Sequence, residues 1–449
     1  MKKLVGVFAF SLLLHVSASA TEALTLDQAL QLLKTKNLEI KAANYDELAA
    51  KEDIDAVSGK NWGKLTFTQD VARSNDAGSV FGFKLSSREA DFGDFGFGDF
   101  GGAFPMHTPP PSLNYPGYQN FFQSKLKYEV PLFTGFMLTS YTDIMKKMKE
   151  IKSLDKDKIT TEKEYELKKS FYDMALLDSS IKNLNKILDN INILEKTTKE
   201  MIHVGYAKHV DLLEVQAKKG NVERLLVQMR SNKKLLYHYI SFLLNQKVQH
   251  IQPPVEEIAM PKISDEEILA RNIDFKKAAT GLKITKDMIK ASQAAYYPTL
   301  GAFGEVSTAD DTFLGDADKH KAYTIGARLS WNIFDGGIDA AKIEKSKIQK
   351  LKMQSQVALA KQGILLKTTK IRTQIKSLNA QIASLKKELA LANAIYDNYE
   401  GRYKEKLISM SDVIIKQSAQ IEKILQLQIA KNKRVEKILA LEKLANKGN

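Results

Sequence analysis

The sequence predicts a mainly α-helical chain that also carries membrane β-strands, with long coiled-coil helices joined to a transmembrane sheet. Three observations predict this fold class. Apolar and polar residues alternate over four short segments, and apolar residues recur every three or four positions over two very long ones. The two halves of the chain also resemble each other.

The first twenty residues have the pattern of a secretory signal peptide. Lys2 and Lys3 precede an apolar run over residues 4–14, and Ala-Ser-Ala at 18–20 is a small-residue cleavage motif. We therefore expect a mature chain that works outside the cytoplasm. The sequence contains no cysteine, so we expect neither disulfides nor a lipid attached through a cysteine.

The formal net charge of +14 would by itself favour an acidic partner such as nucleic acid. The lysines, however, are interleaved with glutamate and aspartate along helical segments and do not cluster with aromatic residues. This pattern is typical of solvated helix faces. We therefore expect no nucleic-acid partner.

Three landmarks of the first half recur in the second. "NLEIKAA" from Asn37 resembles "NIDFKKAA" from Asn272, 235 positions later. "VPLFTGF" resembles "NIFDGGI", with Phe133 matching Phe334, and "HVDLLEVQAK" resembles "MSDVIIKQSA", with Asp211 matching Asp412; both matches are 201 positions apart. The sequence therefore predicts an internal two-fold repeat, residues 21–246 and 247–449, whose first copy carries 34 additional residues between its first two landmarks.

Period-two alternation predicts four strands with one apolar and one polar face. Arg328 and Asn332 share the polar face of the last strand. About ten residues is the length of a tilted barrel strand that crosses a bilayer. The predicted strands lie near residues 64–73, 121–131, 299–306 and 322–333, and residues 74–120 form an irregular outward loop between the first two.

Two long helical hairpins are predicted, over residues 137–245 and 338–447. Apolar residues step by four and three from Ile371 to Tyr403 without a slip, which is the spacing of supercoiled helices. A helix over residues 338–406 would be roughly 100 Å long. Each long helix turns back into a second helix of about 35 residues, so we expect these charged hairpins in an aqueous space.

Four strands cannot close a barrel, and an open sheet edge in lipid leaves backbone groups unpaired. Two chains would give eight strands, whose interior is filled by side chains, whereas three would give twelve and a wider lumen. The polar strand faces fit a water-filled interior better. The sequence therefore favours a barrel shared by three chains.

The motifs at the ends of the strands carry a family resemblance. "VPLFTGF" and "LSWNIFDGG" stand at the strand-to-helix joints, and "YYPTL" stands at the opposite joint. Together with the duplicated helix-strand-strand-helix plan they resemble the TolC-like outer membrane efflux protein family over nearly the whole mature chain. The matching joint residues are Pro131, Phe133, Gly135, Phe334, Gly336, Gly337 and Pro298.

The resemblance implies a function as well as a fold. It implies a homotrimer embedded in outer-membrane lipid, whose barrel continues into a helical tunnel in the periplasm. Such a protein is the passive exit duct of a tripartite efflux or type I secretion system, recruited by a periplasmic adaptor and an inner-membrane transporter. We therefore expect no enzymatic activity and no cofactor. The cysteine that carries the family's common lipid anchor is missing here.

Residues 91–102, "DFGDFGFGDFGG", contain a literal GxGxxG but do not predict a nucleotide site. That motif needs a helix start directly after it, and "AFPMHTPPP" cannot start one. The segment falls within the extra residues of the first copy. Its phenylalanines, Phe92, Phe95, Phe97, Phe100 and Phe104, either line the mouth of the channel, touch the lipid headgroups, or belong to a variable loop without a role.

The resemblance also implies a narrow, acidic periplasmic end to the tunnel. The matching positions are Asp211 and Asp412 at the hairpin ends, with Glu214 one turn after Asp211 and Tyr403 as a gate-latching tyrosine. Rings of carboxylates in pores select cations. The alternative interpretation is that the two aspartates only N-cap the returning helices.

No catalytic constellation is recognisable in the sequence. His203 and His209 lack neighbouring carboxylate or cysteine ligands at metal spacing, so no metal site is predicted. A purely structural exported coiled coil is the alternative function. It explains the helical spacing but leaves the four alternating strands without a purpose.

Overall fold

The structure, a computed structural model, describes residues 23–99, 108–254, 257–313, 315 and 318–446. The predicted signal peptide lies outside the described residues, as do Phe100 and Phe104. The chain divides into two compact units, each built from both halves of the sequence. The helical unit contains Met1–Asn44, Asp155–Ile273 and Lys361–Asn449, and the sheet unit contains Tyr45–Leu154 and Asp274–Ala360.

The described residues form helices and strands in the predicted order. The helices are α1 Leu26–Lys36, α2 Leu38–Gly59, α3 Ala77–Ser86, α4 Pro111–Asn114, α5 Met137–His203, α6 His209–Leu243, α7 Asp265–Arg271, α8 Ile273–Gln293, α9 Ile338–Lys404 and α10 Met410–Leu444. The strands are β1 Lys64–Ser74, β2 Gln119–Phe133, β3 Thr299–Asp310 and β4 Lys321–Ser330. None of these helices is apolar over a stretch long enough to cross a membrane.

The sheet unit is built on an antiparallel sheet in the order β1-β2-β3-β4. Its central ladder joins β2 to β3, which come from different halves of the chain. The strands are connected to α2, α5, α8 and α9 at one end, called the helix end. At the other, called the loop end, β1 connects to β2 and β3 to β4.

The register sorts the strand side chains into two faces, because neighbours across a ladder point the same way. The apolar face carries exposed large side chains, among them Leu65, Phe67, Val71, Leu126, Tyr128, Val306, Tyr323, Ile325 and Leu329. The polar face carries Lys64, Asp70, Lys125, Lys127, Glu129, Glu305 and Arg328. Ion pairs join Lys125 to Glu305 at 3.7 Å and Lys127 to Glu129 at 2.7 Å on that face.

Two predictions about the sheet unit were wrong in detail. The last strand ends at Ser330 and not at 333, so Asn332 lies beyond the sheet. The β3–β4 ladder ends there because Thr299, the first residue of β3, pairs with Ser330. Further on, the Asp335 carboxylate accepts the backbone N–H groups of Gly337 and Asp339, at 3.0 and 2.7 Å, at the start of α9.

The loop predicted over 74–120 is also less irregular than expected, since it contains α3 and α4. Asp76 N-caps α3 by accepting the backbone N–H of Ser79 at 2.9 Å. Pro111, at the first position of α4, has no N–H to leave unpaired.

The helical unit contains all of α6 and α10 and the larger part of α5 and α9, which form the two hairpins α5–α6 and α9–α10. Their second helices have 35 residues each, as predicted. An apolar core packs the hairpin ends together and includes Leu184, Ile191, Val215, Tyr396 and Val413, all fully buried. A second core packs α1 against α5 and α6.

Two buried asparagines tie helix ends together at matching places. Asn37 ends α1 and donates its side-chain N–H to the carbonyl of Leu243 at 2.8 Å. Asn272 ends α7 and donates to the carbonyl of Leu444 at 2.9 Å. Leu243 and Leu444 are the last residues of α6 and α10, 201 positions apart. The first shared landmark of the two halves therefore has a structural task, because a buried helix end needs a donor for its free carbonyl groups.

Candidate functional site

The candidate site comprises the two turns at the hairpin ends and the first residues of α6 and α10. Both long helices end in the same backbone motif. The N–H of Tyr206 bonds to the carbonyl of Met201 at 2.8 Å, and the N–H of Leu407 bonds to the carbonyl of Arg402 at 2.9 Å. Gly205 and Lys406 occupy the left-handed position of the motif, with φ of 80° and 62°. The first hairpin uses glycine there, whereas the second holds a lysine at some cost in strain.

Asp211 and Asp412 are not N-caps, which corrects the capping interpretation. The N-cap residues are Lys208 and Ser409, and each aspartate stands three positions further on. The Asp211 carboxylate accepts the backbone N–H of Lys208 at 2.7 Å, and the Asp412 carboxylate accepts that of Ser409 at 3.2 Å. Both aspartates thus satisfy a backbone donor at a helix start, as the N3 residue of a capping box does.

The second hairpin has the complete capping box. The Ser409 hydroxyl accepts the backbone N–H of Asp412 at 3.2 Å and donates to its carboxylate at 2.6 Å. These hydrogen bonds from the hydroxyl and backbone of Ser409 lower the pKa of Asp412. The carboxylate is therefore ionised throughout the physiological range and carries a full negative charge at the hairpin end.

Tyr403 lies inside the hairpin core, only 4% exposed. Its hydroxyl lies 3.2 Å from that of Thr198 on α5, so the contact joins the two hairpins within one chain. Burial raises the pKa of Tyr403, and the charge of Asp211 adds to the effect, while the Thr198 contact opposes it. Tyr403 therefore stays a neutral hydrogen-bonding group near the Asp211 carboxylate.

Further polar contacts cross between the hairpins. The Ser411 hydroxyl at the start of α10 donates to the Glu214 carboxylate of α6, with both oxygens within 3.0 Å. The Lys406 ammonium lies 3.5 Å from the centre of the Tyr206 ring. The Lys218 ammonium donates to the Ser418 hydroxyl at 2.7 Å. The predicted residues thus belong to a polar layer of hydrogen bonds at the hairpin ends, which can hold the two hairpins together and present carboxylates to solvent.

The two strand-to-helix joints share a backbone conformation, although their side chains differ. Gly135 and Gly336, 201 positions apart, have φ of 62° and 71°, and Phe136 and Gly337 have φ of 67° and 91°. Phe136 is held in this unfavourable conformation between the rings of Phe133 and Tyr297, whose centroids lie 5.3 and 5.7 Å away.

The remaining predicted joint residues mark where strands begin and end. Pro131 precedes a break in the β2–β3 register, where its missing N–H is tolerated. Pro298 directly precedes β3, and Phe334 is 85% exposed beyond β4.

Some residues of the site were not predicted from the sequence. Ser409 could have been found, since Ser-x-x-Asp before an apolar run is a capping-box signature. Thr198 and Ser411 could not, because their partners lie 205 and 197 positions away.

An acidic cluster at the loop end was also missed. The carboxylates of Glu89, Asp310 and Asp311 offer oxygens within 4.8 Å of one another. Burial and the hydrogen bond with Asp310 raise the pKa of Asp311. The repulsion between carboxylates held this close together is relieved when one of them is protonated.

Comparison with known proteins agrees with this description. Residues 266–447 match the family described as outer membrane efflux protein. No curated protein matches the chain in sequence.

Several solved structures share the fold. One is CusC, a transmembrane channel, with a TM-score of 0.76 at 13% identity over 94% of this chain and 91% of CusC. The outer membrane channel CmeC of Campylobacter jejuni has a TM-score of 0.74 at 14% identity, over 94% of this chain and 86% of CmeC. The outer membrane protein VceC of Vibrio cholerae has a TM-score of 0.74 at 13% identity, over 94% and 96%. The resemblance to TolC-like outer membrane efflux proteins, predicted from the joint motifs, is confirmed.

Proposed function

We propose that this TolC-like outer membrane efflux protein is a passive exit duct from the periplasm to the exterior. Three copies share one twelve-stranded barrel in the outer membrane, and their hairpins form the periplasmic tunnel. A periplasmic adaptor and an inner-membrane transporter recruit the duct into a tripartite efflux or type I secretion system. Each chain is one structural unit used twice, residues 21–246 and 247–449.

The observation that carries the proposal is the division of the sheet into two faces. Nine large apolar side chains are exposed on one face, where contact with water is unfavourable and contact with lipid is favourable. Seven charged residues stand on the other. A sheet with lipid on one side and water on the other explains both faces.

The edges of the sheet support a barrel shared between chains. Among the described strands, β1 and β4 each pair on one side only, at the two ends of the order. Free edges in lipid are costly, so another copy must cover them. Eight strands would enclose a packed interior, which the charged polar face does not suit, whereas twelve enclose a water-filled one.

The carboxylates at the hairpin ends support a gate for cations. Asp211 and Asp412 hold equivalent helical positions, so three chains bring six carboxylates to one end of the tunnel. Their repulsion is relieved by bound cations or by opening.

Two measurements test the duct. Native mass measurement in detergent should give a trimer, and the trimer in planar bilayers should conduct ions. A stable monomer without conductance would refute the proposal. Co-purification with an adaptor and a transporter encoded by neighbouring genes would identify the export system to which the duct belongs.

A further inference from the structure

We propose that residues 77–99, called the mouth cap, fold into the lumen and narrow the outer mouth of the channel. The inference rests on the proposed function, in which the polar face lines the lumen and the loop end faces outward. It assigns a size-limiting element at the outward end of the duct.

The first step is the face on which α3 lies. The Phe83 ring of α3 stacks on the Phe121 ring of β2, with centroids 4.3 Å apart and planes within 10°. Phe121 pairs with Ala72 and alternates with Gln123 and Lys125, so it belongs to the polar face. Ala309 of β3 shares that face and is 3% exposed, since α3 packs over both strands. The helix therefore covers the polar face at the loop end.

The second step is the fixing of the mouth cap. Val80 and Ser87 are almost fully buried, so α3 has a defined inner side. The Lys84 ammonium forms an ion pair with Asp94. The Phe81 and Phe95 rings meet edge to face at 4.8 Å, which folds the glycine-rich segment back onto α3. These contacts give the cap a fixed position instead of a freely moving loop.

A third contact extends the cap across the sheet. The Arg88 guanidinium donates to the carbonyl of Lys321, the first residue of β4, at 2.7 Å. The cap starts after β1 and thus reaches the opposite edge strand.

The fourth step is size. Twelve strands about 4.8 Å apart and tilted by about 40° form a ring about 24 Å across between backbones. A helix with its side chains is about 10 Å thick, so three packed together need about 22 Å. Three copies of α3 on the inner wall would therefore fill most of the mouth. The side of α3 that faces away from the sheet, where Leu85 is half exposed, would border the remaining opening.

Thiol labelling tests the position, because the chain has no cysteine of its own. Leu85→Cys is labelled from the outer side with a bulky thiol reagent during single-channel recording. We expect labelling to lower the conductance. The matched control is Phe313→Cys, whose parent ring is 61% exposed and contacts Phe122 on the apolar side of the loop end. Its labelling should leave conductance unchanged.

A deletion tests the obstruction without any label. Replacement of residues 77–99 by a short glycine-serine linker should raise the conductance of assembled trimers and admit larger solutes. Labelled Leu85→Cys channels with unchanged conductance, or deletion trimers that conduct like the parent, would contradict the mouth cap alone. Absence of any channel from the parent trimer would instead contradict the proposed function and the cap with it.

Discussion

At the residue scale, the aspartates of the hairpin ends combine two roles that substitution can separate. Asp211→Asn with Asp412→Asn removes the charge but keeps an oxygen that can accept the N–H of Lys208 or Ser409. We expect intact helices, weaker cation selectivity and weaker block by divalent cations in planar bilayers. Circular dichroism controls for the fold. Unchanged selectivity and block would leave these residues as helix-start residues only.

Glu195 provides a test of pH dependence at the same scale. It accepts hydrogen bonds from Lys199 at 2.8 Å and from Lys219 of α6 at 3.0 Å, and these bonds lower its pKa from 4.5 to about 2. A pKa depressed by folding stabilises the folded state above the unfolded pKa, and the gain is lost as pH falls towards the folded one.

We therefore expect Glu195→Gln to lower the melting temperature at pH 7 and to have little effect near pH 2. The transition between these limits should fall between pH 4.5 and about 2. Lys219→Gln, which removes only the contact between helices, should show a smaller effect of the same sign. A difference that stays constant with pH would rule out the ion pairs as its cause.

At the element scale, the joints show which glycines are required by contact and which by backbone angle alone. Gly135→Ala places a Cβ 2.6 Å from the carbonyl oxygen of Ala294, whereas Gly336→Ala meets no atom within 4 Å. In both variants, alanine in the left-handed backbone conformation lowers the free energy of unfolding by about 1 kcal/mol. We expect a clearly larger loss of thermal stability for Gly135→Ala. Equal losses would mean that the first joint relaxes freely.

The elements also show where prediction from sequence succeeds. The long helices and the order of strands follow from periodicities that are local in the chain. By contrast, α3 depends on the stacking of Phe83 on Phe121 and on the cap from Asp76, in a stretch rich in glycine. The end of β4 is set by its partner strand, since β3 begins at Thr299 opposite Ser330, and not by the alternation, which continues to Ile333. Local patterns therefore found the helices and strands, but not the contacts that end them.

At the scale of the whole molecule, the proposed function depends on which face of the sheet meets the bilayer. Ile325 and Thr324 are adjacent on β4 and point to opposite faces. Ile325→Lys should cost about 2–4 kcal/mol if the apolar face meets the bilayer core, whereas Thr324→Lys faces water and should be tolerated. Urea unfolding in lipid vesicles measures the difference. Equal costs would contradict the assignment of faces.

The central ladder of the sheet has a consequence for biogenesis. Phe122 pairs with Asp310 and Phe133 with Leu300, so β2 waits for a partner that is synthesised more than 160 residues later. A nascent chain that stops before β3 holds one two-stranded ribbon, which is marginally stable in water, and its apolar side chains invite aggregation. Pairing over such sequence distances is slow. We expect the helical hairpins to fold first and the sheet to form last, so that chaperones must protect its strands during transit.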